Sequence, residues 1–139
     1  MQEKQDFIVV RKADMNEGFS TGTITKACLF FTKKYMFVVP FESLSVLGYT
    51  TTETTTNAAD IIQSVIPHMK DQTVEDFEQQ MKSKLPHKRV YEISTLDTFS
   101  VNVGWWIFGG MTVKKEGGAR QTINVQPKDL RAQISEFYA

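Results

Sequence analysis

Apolar and polar positions alternate with a period of two over most of this chain, and the period lengthens to a helical one in two places. Residues 6–12 (Asp-Phe-Ile-Val-Val-Arg-Lys) are dominated by β-branched and aromatic side chains and predict a strand. Residues 13–22, with Asn16, Gly18, Ser20 and Gly22, have the composition of a loop. From Thr23 a second strand is expected. Ile24, Lys26, Cys28 and Phe30 share one parity, and Ala27, Leu29 and Phe31 the other. Both faces are apolar toward its end, so the strand is expected to be central. Thr32-Lys33-Lys34 is a short polar break before a third strand over residues 35–41, and the two form a hairpin. Pro40 is read as a strand end or an edge. Residues 43–52 are a fourth strand candidate. The six threonines and one glutamate of residues 50–56 fit a polar edge strand and a loop equally well.

At Asn57, a good N-cap, the spacing of Ala58, Ile61, Ile62, Val65, Ile66 and Met69 becomes helical. Pro67 is expected to kink or end that helix. A second helix is predicted to start at Thr73, with Asp76 in the place of the usual capping-box glutamate. Its face is Val74, Phe77, Met81 and Leu85, and Pro86 closes it. Strands return at residues 88–93, 99–108, 111–115 and 120–125, with turns at 94–97 and 116–119. A last helix follows Pro127, with Asp129 in its first turn and Leu130, Ile134 and Phe137 as its apolar stripe. A run of strands, two helices, further strands and a helix are an α+β plan, with none of the strand–helix alternation of a parallel sheet.

Composition narrows the function classes. The chain has 139 residues, the length of one domain, residues 1–139. Sixteen basic and sixteen acidic residues cancel, which argues against a nucleic-acid partner. One cysteine, Cys28, allows no internal disulfide and no multi-cysteine zinc site, and two histidines make a His-rich metal site improbable. No cofactor is expected. No apolar run reaches the ~20 residues of a membrane span, and the acidic start lacks a signal-peptide core, so a soluble cytoplasmic protein is expected.

Three stretches carry a resemblance to a known family. Residues 27–38 (Ala-Cys-Leu-Phe-Phe-Thr-Lys-Lys-Tyr-Met-Phe-Val) form an apolar strand, a Thr-x-x turn and a second apolar strand. Residues 91–101 (Tyr-Glu-Ile-Ser-Thr-Leu-Asp-Thr-Phe-Ser-Val) hold a Leu-Asp-x-apolar segment. Residues 110–138 form a closing hairpin and helix. Together they resemble the pleckstrin-homology-like (PH-like) superfold, and within it the GRAM and bacterial PH-like branch. The resemblance implies an antiparallel β-barrel of about seven strands, a helical insertion at 57–85 and a C-terminal capping helix. It implies a binding scaffold rather than an activity. In that family a Lys before the first loop and a Lys/Arg-x-Arg after it hold phosphoinositides. Here Arg11 and Lys12 precede the loop, but Lys26 is followed by Ala27 and Cys28, so the second half of that pattern is missing. The tryptophan of the family's capping helix is also missing, with Phe137 and Tyr138 in that region.

Cys28, inside an apolar strand, reads as a small hydrophobe rather than a nucleophile. The densest basic cluster is His87-Lys88-Arg89 with Lys82 and Lys84, which suits a phosphate or an acidic surface as well as a solvated helix end. Lys33-Lys34 and Lys114-Lys115 are similar pairs at turns. Neighbours in a strand point to opposite faces, so one of Trp105 and Trp106 should face outward, there to anchor a partner or lie under the insertion. The candidate contact residues are therefore Arg11, Lys12, Lys26, Lys33, Lys34, Lys88, Arg89, Trp105 and Trp106. The expected function is a non-catalytic binding or protein-interaction module whose partner is another protein, with self-association possible. The alternatives are attachment to an anionic lipid surface and a small enzyme whose site is assembled from distant residues.

Overall fold

A computed structural model of the chain describes residues 1–16, 23–45, 50–51, 60–104 and 110–139. Eight strand segments are present among them: β1 Ile8–Asn16, β2 Thr23–Phe31, β3 Tyr35–Ser45, β4 Thr50–Thr51, β5 Val90–Glu92, β6 Leu96–Val101, β7 Gly110–Lys115 and β8 Arg120–Val125. All pairings are antiparallel, in the order β4-β3-β2-β1-β8-β7-β6, while β5 pairs with the start of β3. One short 3-10 turn, Ile93–Thr95, separates β5 from β6, so the two act as arms of one bent strand. That strand reaches from β3 to β7 and nearly closes the sheet into a barrel of about seven strands.

The barrel interior holds Ile8, Val10, Ala13, Met15, Ala27, Leu29, Phe31, Met36, Val38, Met111, Val113, Ile123 and Val125. The C-terminal helix, α2 (Lys128–Phe137), adds Ile134 and Phe137 to this core. The opposite parity of β2 and β3 points outward, yet Phe30, Phe37 and Val39 are also buried. They pack under the insertion, with Ile61, Val65, Met69, Phe77, Met81 and Leu85. Phe77 meets Phe30 and Phe37 edge-on, at centroid distances of 6.2 and 5.9 Å. The two apolar faces of the hairpin thus belong to two separate cores.

The insertion begins, within the described residues, with a π-helical turn, Ile61–Val65, followed by a 3-10 turn, Ile66–Asp71. The switch comes at Pro67, which has no N–H to donate back along the helix. Helix α1 spans Val74–Lys84, and the Thr73 hydroxyl accepts the Asp76 N–H at 3.1 Å, the predicted cap. Asn57 and the start of that first helical pattern lie outside the described residues, as do residues 52–56 of the threonine run.

Several expectations change. The turn expected at 94–97 is over by Thr95, because β6 begins at Leu96 to pair with β7. The fourth strand expected over 43–52 is, in its described residues, the end of β3 and the short β4 that pairs with it. The loop expected from residue 13 starts later, because β1 runs to Asn16 and buries Ala13 and Met15 against β2 and β8. A bulge between Val10 and Ala13 allows this: Arg11 and Lys12 oppose one β2 residue and both stay exposed. Of the two readings of Pro40, the strand end is overturned and the edge agrees with the described pairings. β3 continues to Ser45 through a second bulge, where Pro40 pairs with Ala27 and Glu42 with Lys26, leaving Phe41 as the extra residue. The missing Pro40 N–H is tolerated because no described strand pairs with β3 between Phe37 and Ser43 on its far side.

Arg131 is fully buried beneath β7 and β8. Its Nε donates to the Val125 carbonyl at 2.9 Å and its NH2 group to Asn124 Oδ1 at 3.2 Å. Gly110 has φ +153°, and a Cβ there would lie 2.7 Å from Arg131 Nε. Gly110→Ala is therefore expected to destabilise the fold by more than ~1 kcal/mol, read as a lower urea midpoint. Phe77→Ala should cost ~3–5 kcal/mol by opening a cavity in the outer core. In the same insertion Ile62 is 44% exposed, and Ile62→Ala should stay within ~0.5 kcal/mol. Equal losses at Phe77 and Ile62 would contradict the assignment of the outer core.

Candidate functional site

The bent strand β5–β6 crosses the barrel wall beside the turn that joins β7 to β8. Leu96 pairs with Lys115 there, and Ile93 N–H donates to the Lys34 carbonyl of the β2–β3 turn at 2.8 Å. The β7–β8 turn closes through Gly118 N–H to the Lys115 carbonyl at 2.9 Å, and Gly117 takes φ +73°, a left-handed conformation that favours glycine. Between these elements and α1 lies a cleft of about 420 Å³. Its wall comprises Tyr35, Lys82, His87, Val90, Glu92, Thr95, Leu96, Lys115 and Glu116. A second cleft of about 270 Å³ shares His87 and Lys115 with it and adds Lys88, Tyr91 and Gln121.

The charged groups of the larger cleft are not paired with one another. Lys115 Nζ donates to the His87 carbonyl at 2.8 Å and sits over the Tyr91 ring, 4.6 Å from its centre. Lys82 Nζ donates to the Tyr35 hydroxyl at 3.3 Å and lies 5.2 Å from that ring centre. Among the described residues no carboxylate lies within ion-pair distance of either ammonium. Lys115 is half-buried, and desolvation lowers its pKa below the ordinary lysine value. Glu92 and Glu116 are exposed at the rim. The neighbouring Lys114 differs because strand side chains alternate faces: it pairs with Asp97 across β6 at 3.0 Å.

Thr32, fully buried in the β2–β3 turn, holds the surrounding elements in register. Its N–H and carbonyl bond to the Tyr35 carbonyl (2.9 Å) and the Tyr138 hydroxyl (2.6 Å). Its hydroxyl accepts the Tyr35 N–H at 3.1 Å and donates to Glu78 Oε2 at 3.2 Å. Next to it, Lys33 donates to the Phe137 carbonyl and lies 3.9 Å from the Phe137 ring centre. The hairpin, α1 and the end of α2 are thereby tied at one point. Burial raises the pKa of Glu78 above the ordinary carboxyl value, against smaller lowering by Thr32, Lys34 and Lys82. Burial raises the Tyr138 phenol well above its ordinary range, and the nearby Glu78 charge adds to this.

The candidate residues divide into four groups. Lys88 borders the smaller cleft, and Lys33 and Lys34 occupy the adjoining hairpin turn. Arg11, Lys12 and Lys26 sit on the outer wall of β1 and β2 and line neither cleft. Arg89 is 2% exposed, which corrects its reading as a surface contact: the 3-10 turn His87–Arg89 directs it inward while Lys88 stays out. Trp105 and Trp106 lie outside the described residues. The residues not foreseen as contacts, Tyr35, Lys82, Glu92 and Lys115, come from four separate stretches. Two of them carried a sequence signal: Lys82 in the basic cluster with His87 and Lys88, and Lys115 in the Lys114-Lys115 pair at a turn. Cys28 is half-buried, its thiol donating to the Arg11 carbonyl at 2.9 Å, and burial raises its pKa, so it is a poor nucleophile. Among the described residues no cluster of three or more His, Cys, Asp or Glu side chains could hold a metal, and no helix is long and apolar enough to cross a membrane.

Compared with protein-family models, with curated proteins and with solved structures, the chain finds no match.

The raised value of Glu78 sets a pH dependence. Between the unfolded value near 4.5 and the higher folded value, the native state holds a proton that the unfolded state has released. The contribution of Glu78 to stability therefore falls as pH rises through that window. Glu78→Gln keeps an acceptor for the Thr32 hydroxyl and removes the titration. Its melting temperature is expected to exceed that of the wild type at neutral pH, with the difference shrinking as pH falls toward 4.5. A difference that stays constant with pH would rule this out.

Proposed function

We propose that this chain is a non-catalytic binding module built on a PH-like scaffold. The wall formed by β5, β6 and the β7–β8 turn serves as its contact surface. The barrel with its C-terminal helix and the resemblance in residues 27–38, 91–101 and 110–138 support the scaffold part of this reading. One observation carries the rest: the larger cleft combines half-buried apolar and aromatic walls with ammonium groups that have no carboxylate partner among the described residues. Ammonium groups left without an ion-pair partner at a concave, partly apolar site favour a ligand that completes them. A catalytic role finds less support. Among the described residues, the carboxyl raised above its ordinary value is Glu78, which faces Thr32 and Tyr138 rather than the cleft.

A second reading is attachment to an anionic membrane surface. Lys82 and Lys88 are exposed on the walls of the two clefts, and a lysine near an anionic surface contributes about 1 kcal/mol. Glu92 and Glu116 stand on the same face and oppose it.

Backbone amide NMR separates the two. A panel of small oxyanions, zwitterions and short peptides is expected to move the resonances of residues 90–96 and 115–116. Shifts confined to other parts of the chain, or no shift with any member, would reject this wall as the contact surface. Co-sedimentation with anionic but not neutral vesicles, lost at moderate salt, would favour the membrane reading.

A further inference from the structure

We infer that the larger cleft is a subsite for a small oxyanion, of the phosphate or carboxylate type, carried on an apolar or aromatic body, with Lys115 as its anchor. The inference rests on the binding-module reading and specifies its ligand.

Three observations converge on it. The first is the position of the charges. Lys115 is the recessed cation of the cleft, half-buried and without a carboxylate partner among the described residues, while Glu92 and Glu116 are exposed. The exposed carboxylates keep their hydration, whereas the recessed ammonium has given up part of its own. A counter-ion is therefore missing inside the cleft rather than at its rim. The second is orientation. The Lys115 ammonium is fixed by the His87 carbonyl and the Tyr91 ring, at the junction of the larger cleft with the smaller one, so it is held in place before any ligand arrives. Its one hydrogen bond, to a neutral carbonyl, leaves N–H donor capacity for an oxyanion. Lys82, held by Tyr35, supplies a second cation to the same cleft. The third is the apolar wall of Tyr35, Val90 and Leu96, which offers contact area to a ligand body and nothing to a bare ion.

The rim also sets the size of the ligand. An extended polyanionic surface laid across the cleft would bring its charges against Glu92 and Glu116. A single oxyanion reaching inward to Lys115 leaves them in water. The geometry thus selects a small amphipathic anion over a lipid bilayer, and the shared oxyanion chemistry leaves open whether the head is a phosphate ester or a carboxylate.

The test uses the full chain labelled with 13C at lysine Cε, so that each ammonium is followed separately. Lys115→Arg assigns the Lys115 resonance and keeps a cation in place. The probes are phenyl phosphate, benzoate, inorganic phosphate and anionic vesicles. Phenyl phosphate or benzoate is expected to move the Lys115 signal and to raise its titration midpoint, because an opposite charge favours the ammonium form. Inorganic phosphate should bind at least tenfold more weakly than phenyl phosphate, for want of a body. Lys115→Gln should weaken phenyl phosphate at least tenfold, and Lys115→Arg should restore most of the loss, with unchanged amide spectra showing that both variants are folded. If phenyl phosphate or benzoate moves residues 90–96 but binds Lys115→Gln as tightly as the wild type, the anchor is wrong and the binding module stands. If neither aromatic probe moves any resonance of this wall, the ligand class is wrong, while the wider panel decides the module separately. If only vesicles shift Lys115, the small-anion assignment is overturned in favour of the membrane.

Discussion

The β2–β3 hairpin is apolar on both faces, and the rest of the structure is arranged around that fact. A strand pair with one oily face can lie on a core and leave its other side in water. This pair cannot, because Ala27, Leu29, Phe31, Met36 and Val38 point one way and Phe30, Phe37 and Val39 the other. Each fully buried aliphatic or aromatic side chain is worth ~1.5–3 kcal/mol relative to its exposed state. Leaving either face uncovered would thus forfeit several kcal/mol, as much as a typical domain's whole margin of stability. The barrel covers one face. The insertion covers the other, and its helical turns bury Ile61, Val65, Met69, Phe77 and Met81 to do so. The insertion is in this sense a second core rather than an appendage.

Two cores on opposite sides of one hairpin need a fixed relation, and Thr32 supplies it. Its hydroxyl reaches Glu78 of the insertion and its carbonyl is reached by Tyr138 after the C-terminal helix. Four hydrogen bonds meet at one buried residue in a two-sided turn. A carboxyl sequestered there is held toward its neutral form, because ionising it would leave a charge among groups that cannot hydrate it. The same turn fixes Tyr35 and, through the Lys34 carbonyl, the bend between β5 and β6. The floor and one wall of the larger cleft are thus set by the link between the two cores.

The cleft illustrates how strand geometry distributes charge. Lys114 and Lys115 are neighbours of the same type, yet one is neutralised by Asp97 on the wall and the other enters the cleft without a carboxylate. The alternation of side chains along β7 separates them. His87 contributes its carbonyl to Lys115, so the short 3-10 turn positions that ammonium through its backbone.

The sequence by itself determined what depends on local periodicity. The succession of strands and helices along the chain, the Thr73 cap, a break in the first helix at Pro67 and the two apolar faces at the end of β2 were legible in it. Periodicity states which side of an element is apolar. It does not state what that side meets. The bulge that exposes Arg11 and Lys12 together, the passage of β3 through Pro40 and the extension of β1 to Asn16 depend on cross-strand partners far along the chain. So do the burial of Arg89 and Arg131, residue types that read as surface until a backbone carbonyl or a neighbouring element encloses them. Tertiary structure alone decided the cleft. Lys82 and His87 are near one another in the chain, but no sequence pattern joins them to Tyr35 and Lys115, and the bent strand from β3 to β7 brings all four to one cleft.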